Sequence, residues 1–210
     1  MVTPVLSKML TNAELEGLRT CFRPLRKEYA KGEIIISLSS QDQDTLGLVE
    51  SGTAYLITSN VSGQRRIVDY YERGCFFGKR LLPLVNEKPF YVVARSKCTV
   101  HFVSYQKLIS CCHNNCTKHV KLIDCLFAYI SWKANMHIDI LGQQGLRDRL
   151  LLYFEYLKLQ NGSKRFRLPL SYTDLADYLA VNRSSMMREL KKLNEEGLVE
   201  TRKDLVLLSD

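Results

Sequence analysis

Hydrophobic positions change their period along this chain. From about residue 29 to 104 they come in short β-type runs: Glu33–Ile36, Leu46–Val49, Thr53–Thr58, Arg66–Tyr71, Tyr91–Ala94 and Val100–Val103. Gly32, Gly52, Gly63 and Gly74 punctuate them. Short strands at regular spacing with turn residues between them predict a sandwich or jelly-roll barrel. A short amphipathic helix is expected before it, over residues 11–22, opened by Thr11 or Asn12. From 119 to 141 the spacing alternates between three and four. Val120, Ile123, Phe127, Ile130, Ala134, His137 and Leu141 form a seam for a partner helix, with Leu122, Leu126, Tyr129 and Trp132 beside it. One helix with two apolar faces can pack on its own barrel and on a twin, so a twofold homodimer is expected. His137 in that seam reads as a partly solvated interface histidine, with a pH or metal switch as the alternative.

Residues 171–197 change the picture most. Ser171 and Asp174 make a capping pair, and Leu175, Ala176 and Leu179 fall on one helical face. Ala180-Val181-Asn182 predicts a tight turn, with Asn182 as the next N-cap. Met186, Leu190 and Leu193 are spaced for a core, which turns Arg183, Ser184, Ser185, Met187, Arg188 and Lys191 outward. Gly197 is placed to stop the helix. Leu198–Glu200 and Leu205–Leu208 flank Thr201–Asp204 as a hairpin wing. This is the plan of a winged helix-turn-helix, whose second helix lies in the DNA major groove. Arg183 and Arg188 can pair with guanine edges, Ser184 and Ser185 can reach bases or phosphates, and Met187 can touch a thymine methyl. Tyr172, Thr173 and Lys191 are placed for phosphates. The competing reading is a helical hairpin with a solvated charged face; the two caps, the small Ala176 and the wing weigh against it.

Charge adds a qualification. The chain carries 30 Lys+Arg against 22 Asp+Glu, a formal +8, which favours anionic partners. Residues 143–210 hold 12 basic and 10 acidic side chains, so the surplus sits mainly before the reading head. That surplus suits an anionic effector, flanking DNA or plain solubility. No stretch approaches the roughly 18 consecutive apolar residues of a membrane span. The N-terminus lacks a signal-peptide core, and seven cysteines suggest no secreted disulfide framework. A cytoplasmic protein is expected.

The order of parts, a β-roll then a long helix then a winged helix-turn-helix, resembles the bacterial CRP/FNR family of transcription regulators. The likeness covers nearly the whole chain. It rests on Lys31-Gly32-Glu33, Gly52, Gly63 and Gly74-Cys75-Phe76-Phe77-Gly78, and on Ala176-Asp177-Tyr178-Leu179-Ala180-Val181-Asn182-Arg183-Ser184-Ser185. It implies an α+β chain: a cyclic-nucleotide-binding-like, double-stranded jelly-roll domain over 1–118, a dimerisation helix over 119–141 and a winged helix-turn-helix over 142–210. It further implies effector- or redox-gated binding to promoter DNA as a homodimer, with contact to RNA polymerase.

The departures from the family pattern carry their own expectations. Members that bind cyclic AMP resemble one another in a Gly-Glu followed later by an Arg-Ser-Ala run. Here Gly78 precedes Lys79-Arg80, and the later segment reads Lys88-Pro89-Phe90. The ribose-holding acid and the phosphate clamp are gone, and proline removes a backbone donor. Cyclic AMP is therefore not expected. Lys79, Arg80, Lys88 and Tyr91 are the candidates for holding a different anion, against a reading as surface charge. An iron–sulfur cluster of the oxygen-sensing relatives does not transfer, because only Cys21 lies near the start. Cys112, Cys116 and His119 would share a helical face and could hold zinc or iron or act in redox chemistry. Cysteines packed as small hydrophobes are the commoner outcome. The family's occasional glutamate is absent at Ser184, which implies a different target, while Arg188 occupies the position of an arginine those members share. No catalytic constellation is present, so an enzyme is not expected. The rival function is a ligand-binding or protein-interaction module without DNA contact.

Overall fold

The computed structural model describes residue 16 and residues 20–38, 44–59, 65–82, 89–110 and 117–209. Thr11, Asn12 and Gly63 lie outside these, so the predicted start of the first helix falls outside them too; Thr20–Phe22 are helical. The chain divides into two compact units, with the division after Ile130.

The first unit is built from β1 (Leu25–Tyr29), β2 (Ile34–Ser37), β3 (Thr45–Ser51), β4 (Ala54–Ser59), β5 (Arg65–Tyr71), β6 (Phe76–Phe77), β7 (Phe90–Ala94) and β8 (Cys98–Ser104). Among the described residues they form two antiparallel four-stranded sheets, ordered β1-β8-β3-β6 and β2-β7-β4-β5. Hydrophobic runs identified six of these strands. β1 was missed because its side chains are almost all exposed and carry no apolar alternation. An edge position explains it: backbone pairing to β8 and ion pairs hold it instead. Arg26 Nε lies 3.0 Å from Glu50, Arg26 Nη1 2.9 Å from Glu28, and Lys97 3.3 Å from Glu28.

Large side chains fill the core of this unit. Leu46, Val49, Leu56, Tyr71, Phe77, Val92 and Val100 are all buried in it. The Tyr71 and Phe77 rings stand 5.4 Å apart, and Phe77 meets Phe102 edge-on at 6.3 Å. Gly47 makes room for this packing, since a Cβ there would stand 2.2 Å from the Phe77 ring. α1 (Tyr105–Ile109) closes the strands, and α2 (Thr117–Gly142) follows. Leu122, Cys125, Leu126 and Tyr129 lie on one face of α2 and complete the same core. The Tyr129 hydroxyl donates to the Phe76 carbonyl at 3.4 Å.

The second unit takes Ser131 onward. It holds the end of α2, α3 (Leu146–Asn161), β9 (Arg165–Arg167), α4 (Tyr172–Tyr178), α5 (Arg183–Glu195), β10 (Val199–Arg202) and β11 (Leu205–Leu208). Leu150, Tyr153, Phe154 and Leu157 of α3 are buried, at helical spacing. Gly162 then ends the helix in the left-handed conformation, φ 65°. The predicted hairpin gains a third strand: the sheet runs β10-β11-β9, with Phe166 on its buried face.

Candidate nucleic-acid interface

Local sequence builds the helical pair. The Ser171 hydroxyl accepts from the Asp174 amide at 3.2 Å, while Asp174 Oδ2 accepts the serine proton at 2.7 Å. Leu175, Ala176 and Leu179 are buried as their spacing predicts. The chain turns through Ala180, at φ 55°. Asn182 then caps α5: its Oδ1 accepts from the amides of Ser184 at 2.9 Å and Ser185 at 3.3 Å. Met186, Leu190 and Leu193 enter the core, and Gly197 follows the helix at φ 72°.

What remains outside is a polar face. Arg183, Ser184, Met187, Arg188 and Lys191 are exposed, and Ser185 is half-buried. Arg183 lies in the first turn, at the positive end of the helix dipole, where a cation is poorly placed until an anion joins it. Arg188 Nη2 donates to Ser185 Oγ at 3.2 Å. Lys191 pairs with Glu195 at 3.6 Å. On α4, Thr173 is exposed. Tyr172 is half-buried near the wing; burial pushes its phenol up, against the opposing hydrogen bond of Thr201. Chemically this face offers forked guanidinium donors, hydroxyls and one soft apolar tip.

The support behind the face was not legible in sequence. Arg147 of α3 forms a forked pair with Glu196 just past α5, one contact at 3.0 Å, and stands 3.5 Å from Glu189. Its hydrogen bond holds the Glu196 carboxyl below the ordinary range. Arg149 donates to the Gln143 carbonyl at 3.0 Å and to the Leu179 carbonyl at 3.4 Å. At the end of α2, Asp139 accepts from Tyr156, whose phenol burial and that hydrogen bond push up to about 12. Apart from the Arg149–Gln143 contact, six positions long, these partners are 17 to 49 positions apart, beyond the reach of any local pattern.

The remaining predicted residues are scattered. On α2, Val120 is 61% exposed, Phe127 66% and Leu141 46%; Ala134 is exposed, while Ile123, Ile130 and His137 are half-buried. Ile138, 69% exposed, extends this apolar surface. His137 Nε2 meets the Tyr178 hydroxyl at 2.9 Å. In the first unit Lys79 lies in a 3-10 turn after β6, and the Arg80 guanidinium sits 5.0 Å over the Tyr105 ring. Tyr91 belongs to the other sheet, on β7. Lys88, Cys112 and Cys116 lie outside the described residues. His119 is buried, its Nε2 against the Leu108 carbonyl and its ring 5.3 Å from that of Phe22. Among the described residues no three metal-ligating side chains come together, and no helix is long and apolar enough to cross a membrane.

Residues 137–210 match the Crp-like helix-turn-helix domain, and residues 26–115 match the cyclic nucleotide-binding domain. The chain is 22% identical to the nitrogen fixation regulation protein FixK of Rhizobium meliloti (strain 1021) over 182 residues, 86% of this chain and 77% of that protein. Its fold resembles that of FixK2 from Bradyrhizobium japonicum, with a TM-score of 0.68 and 18% identity over 89% of this chain and 93% of the other. It also resembles the c-di-GMP responsive global regulator CLP of Xanthomonas campestris, with a TM-score of 0.63 and 19% identity over 95% and 100% of the two chains.

Proposed function

Because this chain belongs to the CRP/FNR family of DNA-binding transcription regulators, we propose that it acts as a homodimer on a twofold promoter site, reading each half-site with α5. One observation carries this reading. Met186, Leu190 and Leu193 anchor α5 in the core, and the same helical period leaves Arg183, Ser184, Met187 and Arg188 exposed on its other face. In the major groove Arg183 and Arg188 would take guanine edges, with Ser184 and Met187 on neighbouring bases. Thr173, Tyr172 and Lys191 would contact phosphates and set the register. The apolar stripe of Val120, Phe127, Ala134 and Leu141 supports pairing of α2 with its twin. Two copies would then present reading heads about one DNA turn (~34 Å) apart.

The signal that gates this activity is, in our reading, something other than a cyclic nucleotide. Tyr71 and Phe77 occupy the core between the sheets, and Lys79-Arg80 replaces the acidic step of the nucleotide binders. Three chemistries are compatible with the residues: an anion bound near Lys79 and Arg80, a metal or redox signal at the cysteines, and regulation without an effector. Fluorescence anisotropy on the duplex upstream of the protein's own gene tests the core of the proposal. Wild type should bind with a strong salt dependence and outcompete random duplex. The triple variant Arg183→Ala, Ser184→Ala, Arg188→Ala should lose that preference while remaining folded. Equal binding by both proteins would refute it.

A further inference from the structure

We propose that Ser185 is a positioning residue for DNA reading: it aims the guanidinium of Arg188 and contacts no base itself. The inference rests on the proposal that α5 enters the groove, and assigns within it a role that exposure alone would not suggest.

Three linked contacts place the arginine. Asn182 Oδ1 holds the Ser185 amide at 3.3 Å, which pins the first turn of α5. Ser185 is half-buried beside the fully buried Met186, so its backbone is anchored on both sides. Its hydroxyl then accepts from Arg188 Nη2 at 3.2 Å, across the three-residue spacing that puts two side chains on one helical face. An exposed arginine otherwise samples many rotamers, and ordering it on DNA opposes binding.

The chemistry of the partner matters as much as its place. The positions one turn away on α5, Ser184, Ser185, Lys191 and Lys192, hold no acid, and the adjacent Glu189 faces Arg147 and Lys192. Arg188 is thus held by a neutral hydroxyl, with no carboxylate among the described residues competing for its other donors. A guanidinium has five N–H donors, and one is used here. Those left include the pair that guanine O6 and N7 require. A carboxylate in the place of Ser185 would compete with the base for that fork; a hydroxyl orients without competing.

The test begins with selection by the wild-type protein of its preferred site from a pool of duplexes randomised over about 20 base pairs. Affinities are then measured for that duplex and for variants changed at each base pair, using wild type, Ser185→Ala, Ser185→Thr, Arg188→Ala and the double Ser185→Ala, Arg188→Ala variant. Arg188→Ala should abolish discrimination at one base pair per half-site. Ser185→Ala should reduce discrimination about fivefold at that same pair and at no other. Ser185→Thr should restore it, and Ser185→Ala should add nothing in the Arg188→Ala background. Uniform weakening over all duplexes by Ser185→Ala would make Ser185 a phosphate contact and overturn the proposal. Lost discrimination at a different base pair would make it a reader and overturn it equally. If Arg188→Ala changes discrimination nowhere, the groove reading of α5 fails, and the positioning role with it. Alanine favours the helix, so circular dichroism should show all variants folded.

Discussion

Ala180 is the residue whose backbone works hardest for the helix-turn-helix. It adopts φ 55°, a region that an L-residue occupies at a penalty of roughly 1–2 kcal/mol. Glycine removes that penalty and gives part of it back as lost chain entropy. Ala180→Gly should therefore stabilise the second unit by about 0.5–1 kcal/mol in urea unfolding, without altering DNA preference. Asn182 works in the opposite direction. Its side chain satisfies two amides at the start of α5, so Asn182→Ala should destabilise the same transition by about 1 kcal/mol. In the first unit, Gly52 combines φ +87° with a Lys97 carbonyl 2.2 Å from where a Cβ would sit. Gly52→Ala should lower the thermal midpoint of that unit by an amount matching about 1–3 kcal/mol. The caps were readable from residue type. The demand on Ala180 was not, because alanine carries no turn signal.

At the scale of elements, α5 depends on its neighbours for a fixed bearing. Arg147 grips the segment just beyond its end through Glu196, and Arg167 pairs with Asp204 at 2.6 Å across the wing. Arginine hydrogen bonds depress both carboxyl groups. A depressed carboxyl stabilises the fold fully above its unfolded value, near pH 4, and that support is lost as pH falls through the folded value. The thermal midpoint of the second unit should fall as the solution is taken from pH 6 to pH 3. Arg147→Ala should start lower and fall less over that interval, as scanning calorimetry can show. Helical period and capping residues were enough to find α4 and α5, and two apolar runs flanking Thr201–Asp204 were enough to find the wing strands. β9 escaped because three residues, Arg165, Phe166 and Arg167, are too few for a period to show; pairing with β11 makes it a strand.

For the whole molecule, association and DNA binding are linked in this proposal. Phe127 is two-thirds exposed in the middle of the α2 stripe. Burying such a side chain contributes roughly 1.5–3 kcal/mol per copy, so it is the place to break a dimer. Phe127→Glu should shift the protein to a single chain in analytical ultracentrifugation. Its affinity for a twofold site should fall with the dimer, while the second unit keeps its fold. A monomeric wild type, or a Phe127→Glu variant that stays dimeric, would contradict the stripe as the contact.

The chain's order of periods, two then three-and-four then a capped pair with a wing, was enough to determine a β-roll, a long helix and a winged helix-turn-helix, along with which face of α5 stays outside. Those features follow from local rules: burial repeats with the geometry of each element, and caps and turns are written in neighbouring residues. Tertiary structure alone decided what steadies that face. The Arg147–Glu196 fork, the Arg149 bridge to Leu179, the third wing strand and the ion-paired edge strand β1 join residues distant in sequence. Such partners are chosen by how elements fold back on one another, and no periodicity along the chain records that choice.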